Sequence, residues 1–238
     1  MFEWLLQPEA WVTLVTLTTL EIVLGIDNII FIAILVNKLP AHQRDRARFF
    51  GLSLAMLTRI GLLASLFWIM KLIKPLFYIG EMGISGRDLI LIIGGIFLLY
   101  KSTKEIYEQT EVHQQKEENK SKGGLIAILI QIAFLDIVFS LDSVITAVGM
   151  AQQLEIMILA IIIAIGVMMF ASRGIAQFVD THPTIKTLAL AFLLMVGIVL
   201  ILEGFKIHIP KAYIYFAMGF SFAVELLNIY IRKKSKQS

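Results

Sequence analysis

Two short segments of the chain carry acidic residues at matching positions inside long apolar stretches. The segment Glu21-Ile-Val-Leu-Gly-Ile-Asp27-Asn28 is followed 115 positions later by Asp136-Ile-Val-Phe-Ser-Leu-Asp142-Ser143. Both consist of an acid, Ile, Val, a bulky apolar residue, a small residue, an aliphatic residue, Asp and a small polar residue. A pattern repeated at a fixed offset indicates an internal duplication, so we expect the two segments to act together.

Carboxylates at membrane depth require a partner. An ionisable group in the hydrocarbon costs roughly 2.5–3.5 kcal/mol on insertion scales. A divalent cation neutralises two carboxylates at once, and Mg²⁺, Ca²⁺ and Mn²⁺ prefer oxygen ligands. The chain has no cysteine, and its four histidines fall in predicted loops or at span ends, which disfavours zinc and copper. The residues predicted to line the cation pathway are Glu21, Asp27, Asn28, Asp136, Asp142 and Ser143.

Helical geometry separates the two acids of each motif. Residues turn by about 100° each, so positions seven apart share a face and positions six apart do not. The first acid therefore lies on the same face as the small polar residue that ends the motif, whereas Asp27 and Asp142 point elsewhere. We hypothesise that the helices break locally at Gly25 and Ser140, which would turn the second carboxylate inward and expose carbonyl oxygens.

Structural roles compete with these assignments. The acids could instead hold helices together through Thr16, Gln131 or neighbouring backbone. Arg59 lies inside a predicted span, where it acts either as a counter-ion that stabilises the empty site or as a structural ion pair. Arg173, at the corresponding place in the second half, is interpreted as a snorkelling residue at the inner interface.

Glu225 and Asn228 form a further polar pair in the last apolar stretch. They are three positions apart and share a helical face. Two readings remain open: an extension of the cation pathway, or an interfacial pair near the inner end of the helix.

Composition defines the elements that position these residues. The 238 residues are 58% hydrophobic and 16% charged, which is too apolar for a water-soluble surface. A bilayer core of about 30 Å requires roughly 20 apolar residues in a helix. The sequence predicts an all-α, polytopic membrane helix bundle with about seven transmembrane helices. The predicted spans are 10–36, 49–70, 88–100, 124–150, 154–177, 187–204 and 212–231, the third being able to continue as a surface helix to Glu108.

The duplication predicts how these spans are arranged. Successive spans cross in alternating directions, so spans 1–3 and 4–6 run in opposite orientation. This inverted 3+3 repeat plus one helix is typical of transporters with a midplane substrate site. We expect a single transmembrane domain over 1–231, with repeat halves at about 10–108 and 124–204, an extra helix at 212–231 and a basic cytoplasmic tail at 232–238.

The distribution of positive charge predicts the orientation. Most of the 21 Lys and Arg residues lie in the 37–48 loop, the 101–122 segment and the C-terminal tail. Cytoplasmic loops carry such an excess, so we expect the N-terminus outside and the C-terminus in the cytoplasm. The hydrophilic 101–122 segment is interpreted as a solvated connector and not as a nucleic-acid patch.

The paired motifs resemble the signature of the TerC family of integral membrane proteins. Glu21 to Asn28 and Phe134 to Val144 carry the resemblance, together with the Arg-rich 44–48 loop and His208-Ile-Pro210. The resemblance implies manganese efflux or metal homeostasis, with the six pathway residues named above as the cation route. It also implies a bacterial inner-membrane protein, here of the short form without the CBS-type domains that larger relatives append.

The sequence is compatible with two main functions. The first is a secondary transporter that exports Mn²⁺ or a similar cation, with the cation as substrate and no cofactor; the sequence has no Walker A motif. The second is a non-transporting membrane scaffold or assembly factor that acts through its cytoplasmic loops. An intramembrane carboxylate enzyme is disfavoured, because two acids suffice for that chemistry and duplication is better explained by alternating access. The sequence leaves the oligomeric state, direction and proton coupling open.

Overall fold

The computed structural model describes residues 8–65, 72–111, 124–150 and 154–235, and the side chains of a few residues within these ranges are not described. Helices dominate the described part of the chain. The elements in chain order are α1 (Pro8–Val36), α2 (Ala41–Ala64), β1 (Pro75–Ile79), β2 (Met82–Ser85), α3 (Gly86–Glu111), α4 (Leu125–Met150), α5 (Leu154–Thr181), α6 (Pro183–Gly204) and α7 (Lys211–Ser235).

The helices confirm the predicted all-α membrane bundle. Within the described ranges, five helices are long and apolar enough to cross a membrane: α1, α2, α5, α6 and most of α7. Helix α4 is also apolar, over Leu125–Leu141. Helix α3 extends beyond the predicted span 88–100 to Glu111, as the predicted surface continuation requires. The β1–β2 hairpin before α3, with strands of five and four residues, was not predicted.

The chain divides into two compact units that cut across the predicted repeat halves. The first unit comprises residues 1–75 and 117–177, and the second comprises residues 76–116 and 178–238. The first unit therefore combines α1 and α2 with α4 and most of α5. The second combines α3 with α6 and α7. Each unit takes its helices from both halves of the sequence.

In the first unit, α2 packs along α4. A Cβ atom added at Gly51 would lie 3.0 Å from Ile132 Cδ1, and Arg59 contacts Asp136 farther along both helices. The contacts advance together on the two helices, so α2 and α4 run in the same direction. This direction is the one expected for the second and fourth of seven alternating spans.

In the second unit, α3 and α6 are antiparallel. Arg87 lies 3.7 Å from Glu203 at one end, and Lys186 lies 3.8 Å from Glu105 at the other. The backbones approach closely between these pairs: a Cβ at Gly95 would lie 2.6 Å from the Gly197 carbonyl oxygen. Small residues permit such approach in membrane helices.

Candidate functional site

A buried arginine joins the two acidic motifs in the first unit. Arg59 on α2 forms an ion pair with Glu21 on α1 and another, with N–O distances of 3.2 Å, with Asp136 on α4. The three residues are only 3%, 7% and 3% exposed, respectively. The first acid of each motif is thus held by one guanidinium, deep within a cluster of three helices.

Two polar side chains from other helices also contact Asp136. The Thr58 hydroxyl donates to Asp136 Oδ2 over 2.6 Å, and the Asn28 amide nitrogen donates to Asp136 Oδ1 over 3.2 Å. Thr58 precedes Arg59 on α2, while Asn28 belongs to the first motif. Asp136 therefore accepts hydrogen bonds from two other helices. The sequence motifs did not assign Thr58 to the site.

The space beside this cluster is small. A cavity of about 10 Å³ is lined by Asn28, Phe31, Ile32, Ile132, Leu135 and Asp136. This volume is about that of one water molecule. Asn28 and Asp136 are the polar residues of this lining, and the other four are apolar.

The predicted pathway residues divide into two groups. Glu21, Asn28 and Asp136 come together around Arg59, as the pairing of the motifs requires. The side chains of Asp27, Asp142 and Ser143 lie outside the described part of the structure. Among the side chains that are described, no group of three His, Cys, Asp or Glu is placed to hold a metal ion. Convergence of four carboxylates remains a prediction.

The hypothesis of broken helices is wrong for this conformation. Helix α1 is continuous through Gly25, and α4 is continuous through Ser140. Gly25 has a packing role instead, since a Cβ there would lie 2.4 Å from Met168 Sδ on α5. Ser140 is fully buried within α4. The Ser140 side chain hydrogen-bonds Asp136 one turn earlier on the same helix, and neither position interrupts its helix.

The repeat is not symmetric in its basic residues. Arg59 is buried between the acids, whereas the Arg173 side chain is 71% exposed and lies 3.9 Å from Asp45. Thr58 hydrogen-bonds Asp136, but Ser172 donates to the Met169 carbonyl of its own helix. Arg59 thus pairs with acids from both motifs, whereas Arg173 pairs with none of the motif acids whose side chains are described.

The polar pair of α7 belongs to the second unit. Asn228 donates to Glu225 Oε2 over 3.3 Å, and Glu225 also hydrogen-bonds Thr184 of α6. Asn228 is exposed and Glu225 is partly exposed. This arrangement fits the interfacial reading of the pair as well as the pathway reading, and the pathway role remains a prediction.

A second charged cluster, at the start of α3 and the end of α6, was not predicted. Ser85 and Asp88 form a reciprocal capping box, in which Asp88 accepts from the Ser85 backbone N–H over 2.8 Å. Lys206 pairs with the fully buried Asp88, and His208 Nδ1 lies 3.1 Å from Glu203. The Ser-Gly-Arg-Asp sequence is the signal that could have identified the cap.

Comparisons with known proteins agree with the membrane architecture. The model of the integral membrane protein TerC family matches residues 6–238. A "UPF0053 protein" of Haemophilus influenzae is 65% identical over 99% of this chain and 100% of its own length. The "UPF0053 inner membrane protein YgdQ" of Escherichia coli K12 is 55% identical over 99% of each chain.

A longer relative shares only this part. The "UPF0053 inner membrane protein YoaE" of Escherichia coli K12 is 50% identical over 97% of this chain, which corresponds to 45% of its own length. No solved structure matches the chain significantly.

Proposed function

Because the chain belongs to the TerC family of integral membrane proteins, we propose that it transports a hard divalent cation, with Mn²⁺ favoured, out of the cell. The observation that carries the proposal is the buried cluster of Glu21, Arg59 and Asp136, which joins the two repeated motifs. Here acids from both copies of the motif pair with the same side chain.

The charge of this cluster supports a cation site. Glu21 and Asp136 supply two negative charges against the single positive charge of Arg59. Buried charges are normally matched, because an unpaired ion in a low-dielectric interior is costly. The surplus carboxylate therefore needs a proton or a cation. Convergence of Asp27 and Asp142 on this cluster, as predicted, would add two more negative charges that require a counter-charge.

The donor atoms support a hard ion. The side chains around the cluster offer carboxylate, amide and hydroxyl oxygens from Glu21, Asp136, Asn28 and Thr58. Such oxygen sets suit Mn²⁺, Mg²⁺ and Ca²⁺, whereas zinc and copper sites favour nitrogen and sulfur.

The test is transport by purified protein in proteoliposomes. Flux of Mn²⁺, Mg²⁺, Ca²⁺ and Zn²⁺ is measured for the wild type and for Glu21→Gln, Asp136→Asn, Asp27→Asn and Asp142→Asn. We expect Mn²⁺ flux in the wild type and its loss in the four variants, since each removes a proposed ligand charge. Glu9→Gln, an exposed change at the start of α1, is the matched control and should retain flux. Absence of wild-type flux for all four ions, or flux retained in the site variants, contradicts the proposal.

A further inference from the structure

The position of Arg59 relative to its two acids suggests more than a static ion pair. Its guanidinium contacts one oxygen of Glu21 and one oxygen of Asp136, and all three side chains are buried. The guanidinium thus occupies the place between the carboxylates where a shared cation would bind. Arginine stays protonated at any physiological pH, so this positive charge is permanent.

A divalent ion and the guanidinium compete for the same oxygens. Hard cations bind carboxylate oxygens at about 2.0–2.6 Å. The Arg59 nitrogens lie 3.2 Å or less from the Glu21 and Asp136 oxygens. An ion bound to both oxygens would therefore lie in direct contact range of a like charge, with little solvent to screen the repulsion.

We propose that Arg59 is a tethered cation, which pairs with Glu21 and Asp136 in the ion-free protein and is displaced when the transported ion binds. The inference rests on the proposed transport function and specifies how that site is regulated. Metal binding and the Arg59 pairing exclude one another. Arg59 offsets one of the two carboxylate charges in the ion-free protein, which lowers the cost of a conformational change without a bound ion.

The asymmetry of the repeat supports this role. A pair that only fixed helices would be expected in both halves, yet Arg173 is exposed and contacts neither Glu21 nor Asp136, the two motif acids whose side chains are described. One guanidinium instead faces the first acid of each motif. A single mobile positive charge fits a single ion site shared between the two motifs.

Equilibrium binding separates a competitor from a structural pair. Mn²⁺ binding to detergent-solubilised protein is followed at pH 8 by the electron paramagnetic resonance signal of free Mn²⁺. If Arg59 is unpaired in about one-tenth or less of the ion-free wild type, Arg59→Gln should bind Mn²⁺ at least about tenfold more tightly. A static pair predicts the opposite, because its removal disorders the ligands and weakens binding. Arg48→Gln, a buried arginine on the same helix that pairs with Asp45, is the matched control and should bind as the wild type does.

Transport modes provide a second readout. Tracer exchange between Mn²⁺-loaded vesicles and external Mn²⁺ needs only the ion-bound conformational change. Net efflux into metal-free buffer also requires the empty protein to return. In Arg59→Gln the return is uncompensated, so the ratio of exchange to net efflux should rise about tenfold relative to the wild type. A parallel fall of both rates with weaker binding overturns the proposal.

A measurement on the folded wild type guards against misfolding of the glutamine variant. Adding Mn²⁺ should shift the guanidinium infrared bands of the wild type and of Arg48→Lys, and the shift should be absent in Arg59→Lys, which retains a positive charge. If the wild type binds Mn²⁺ but its guanidinium bands do not shift, the proposed displacement of Arg59 is overturned and the proposed transport function is not. A wild type that binds and transports none of the ions instead overturns the proposed function itself.

Discussion

The hydroxyl of Thr58 on α2 lies 2.6 Å from Asp136 Oδ2 on α4 and donates a hydrogen bond to it. The same hydroxyl lies 2.9 Å from the Ala55 carbonyl of its own helix. One hydroxyl proton serves one acceptor at a time, and the carboxylate is the nearer and stronger one. Thr58 therefore links the second helix to the acidic motif of the fourth, next to Arg59.

Replacing Thr58 with Val should destabilise the first unit. The change keeps the side-chain shape and removes a hydrogen bond to a charged acceptor, which contributes about 1.5–3 kcal/mol. Thr58→Ser keeps the hydroxyl and should lie close to the wild type. Thr19→Val is the control, since Thr19 bonds only the Val15 carbonyl at an exposed site. Denaturant unfolding in micelles measures the effect, and equal stability of the Thr58 Val and Ser variants would show that the bond contributes nothing.

Replacing Gly95 with Ala should separate α3 from α6. The added Cβ would lie 2.6 Å from the Gly197 carbonyl oxygen and 2.7 Å from Ile201 Cγ1, so the helices must move apart. Overpacking of this kind costs about 1–3 kcal/mol. Gly219→Ala on α7 is the control, because its added Cβ would have no described atom within 4 Å apart from the nearby backbone of its own helix. Thermal unfolding should show a lowered midpoint for Gly95→Ala only, and equal midpoints would refute the close approach.

Lys206 lies just after α6 and has a strained backbone conformation. Its φ is +64°, in the left-handed region that side chains other than glycine rarely adopt. Lys206→Ala and Lys206→Gly both lose the ion pair with Asp88, but only glycine relieves the backbone strain. Lys206→Gly should therefore be more stable than Lys206→Ala by about 1 kcal/mol. Chemical unfolding measures the free energy of unfolding of the two variants. A higher stability of Lys206→Ala would contradict the prediction.

The predicted orientation can be tested directly, because the chain has no cysteine. Single changes Ile207→Cys and Lys104→Cys place thiols at exposed positions on either side of the predicted membrane. The positive-inside distribution puts Ile207 outside and Lys104 in the cytoplasm. A membrane-impermeant maleimide should label Ile207→Cys in spheroplasts and Lys104→Cys only after permeabilisation. The reverse labelling pattern would show that the orientation is opposite to the predicted one.

Several features of the fold could be predicted from the sequence. Apolar runs of sufficient length predicted the helices, and α1, α4 and α6 begin or end within a few residues of the expected limits. The broken helices could not be judged from sequence. Gly25 is compatible with either a break or close packing, and the position of Met168 on α5 decided for packing.

The candidate site was predicted in part. Repetition of the motifs predicted that Glu21 and Asp136 belong together, and both contact Arg59. The role of Thr58 was not predicted, since a threonine within an apolar helix has no distinctive spacing. The cluster of Asp88, Glu203, Lys206 and His208 was also missed, because residues from α3 and from the segment after α6 meet only after folding.

The sequence alone determined that this protein is a helical membrane protein with a duplicated acidic motif. Membrane insertion depends on the composition of each segment, and a repeat is a property of the sequence itself. Only the tertiary structure decided that Arg59 pairs with both motifs while Arg173 remains exposed. Ion pairing in a low-dielectric interior depends on distances between helices, and those distances follow from packing across the whole unit.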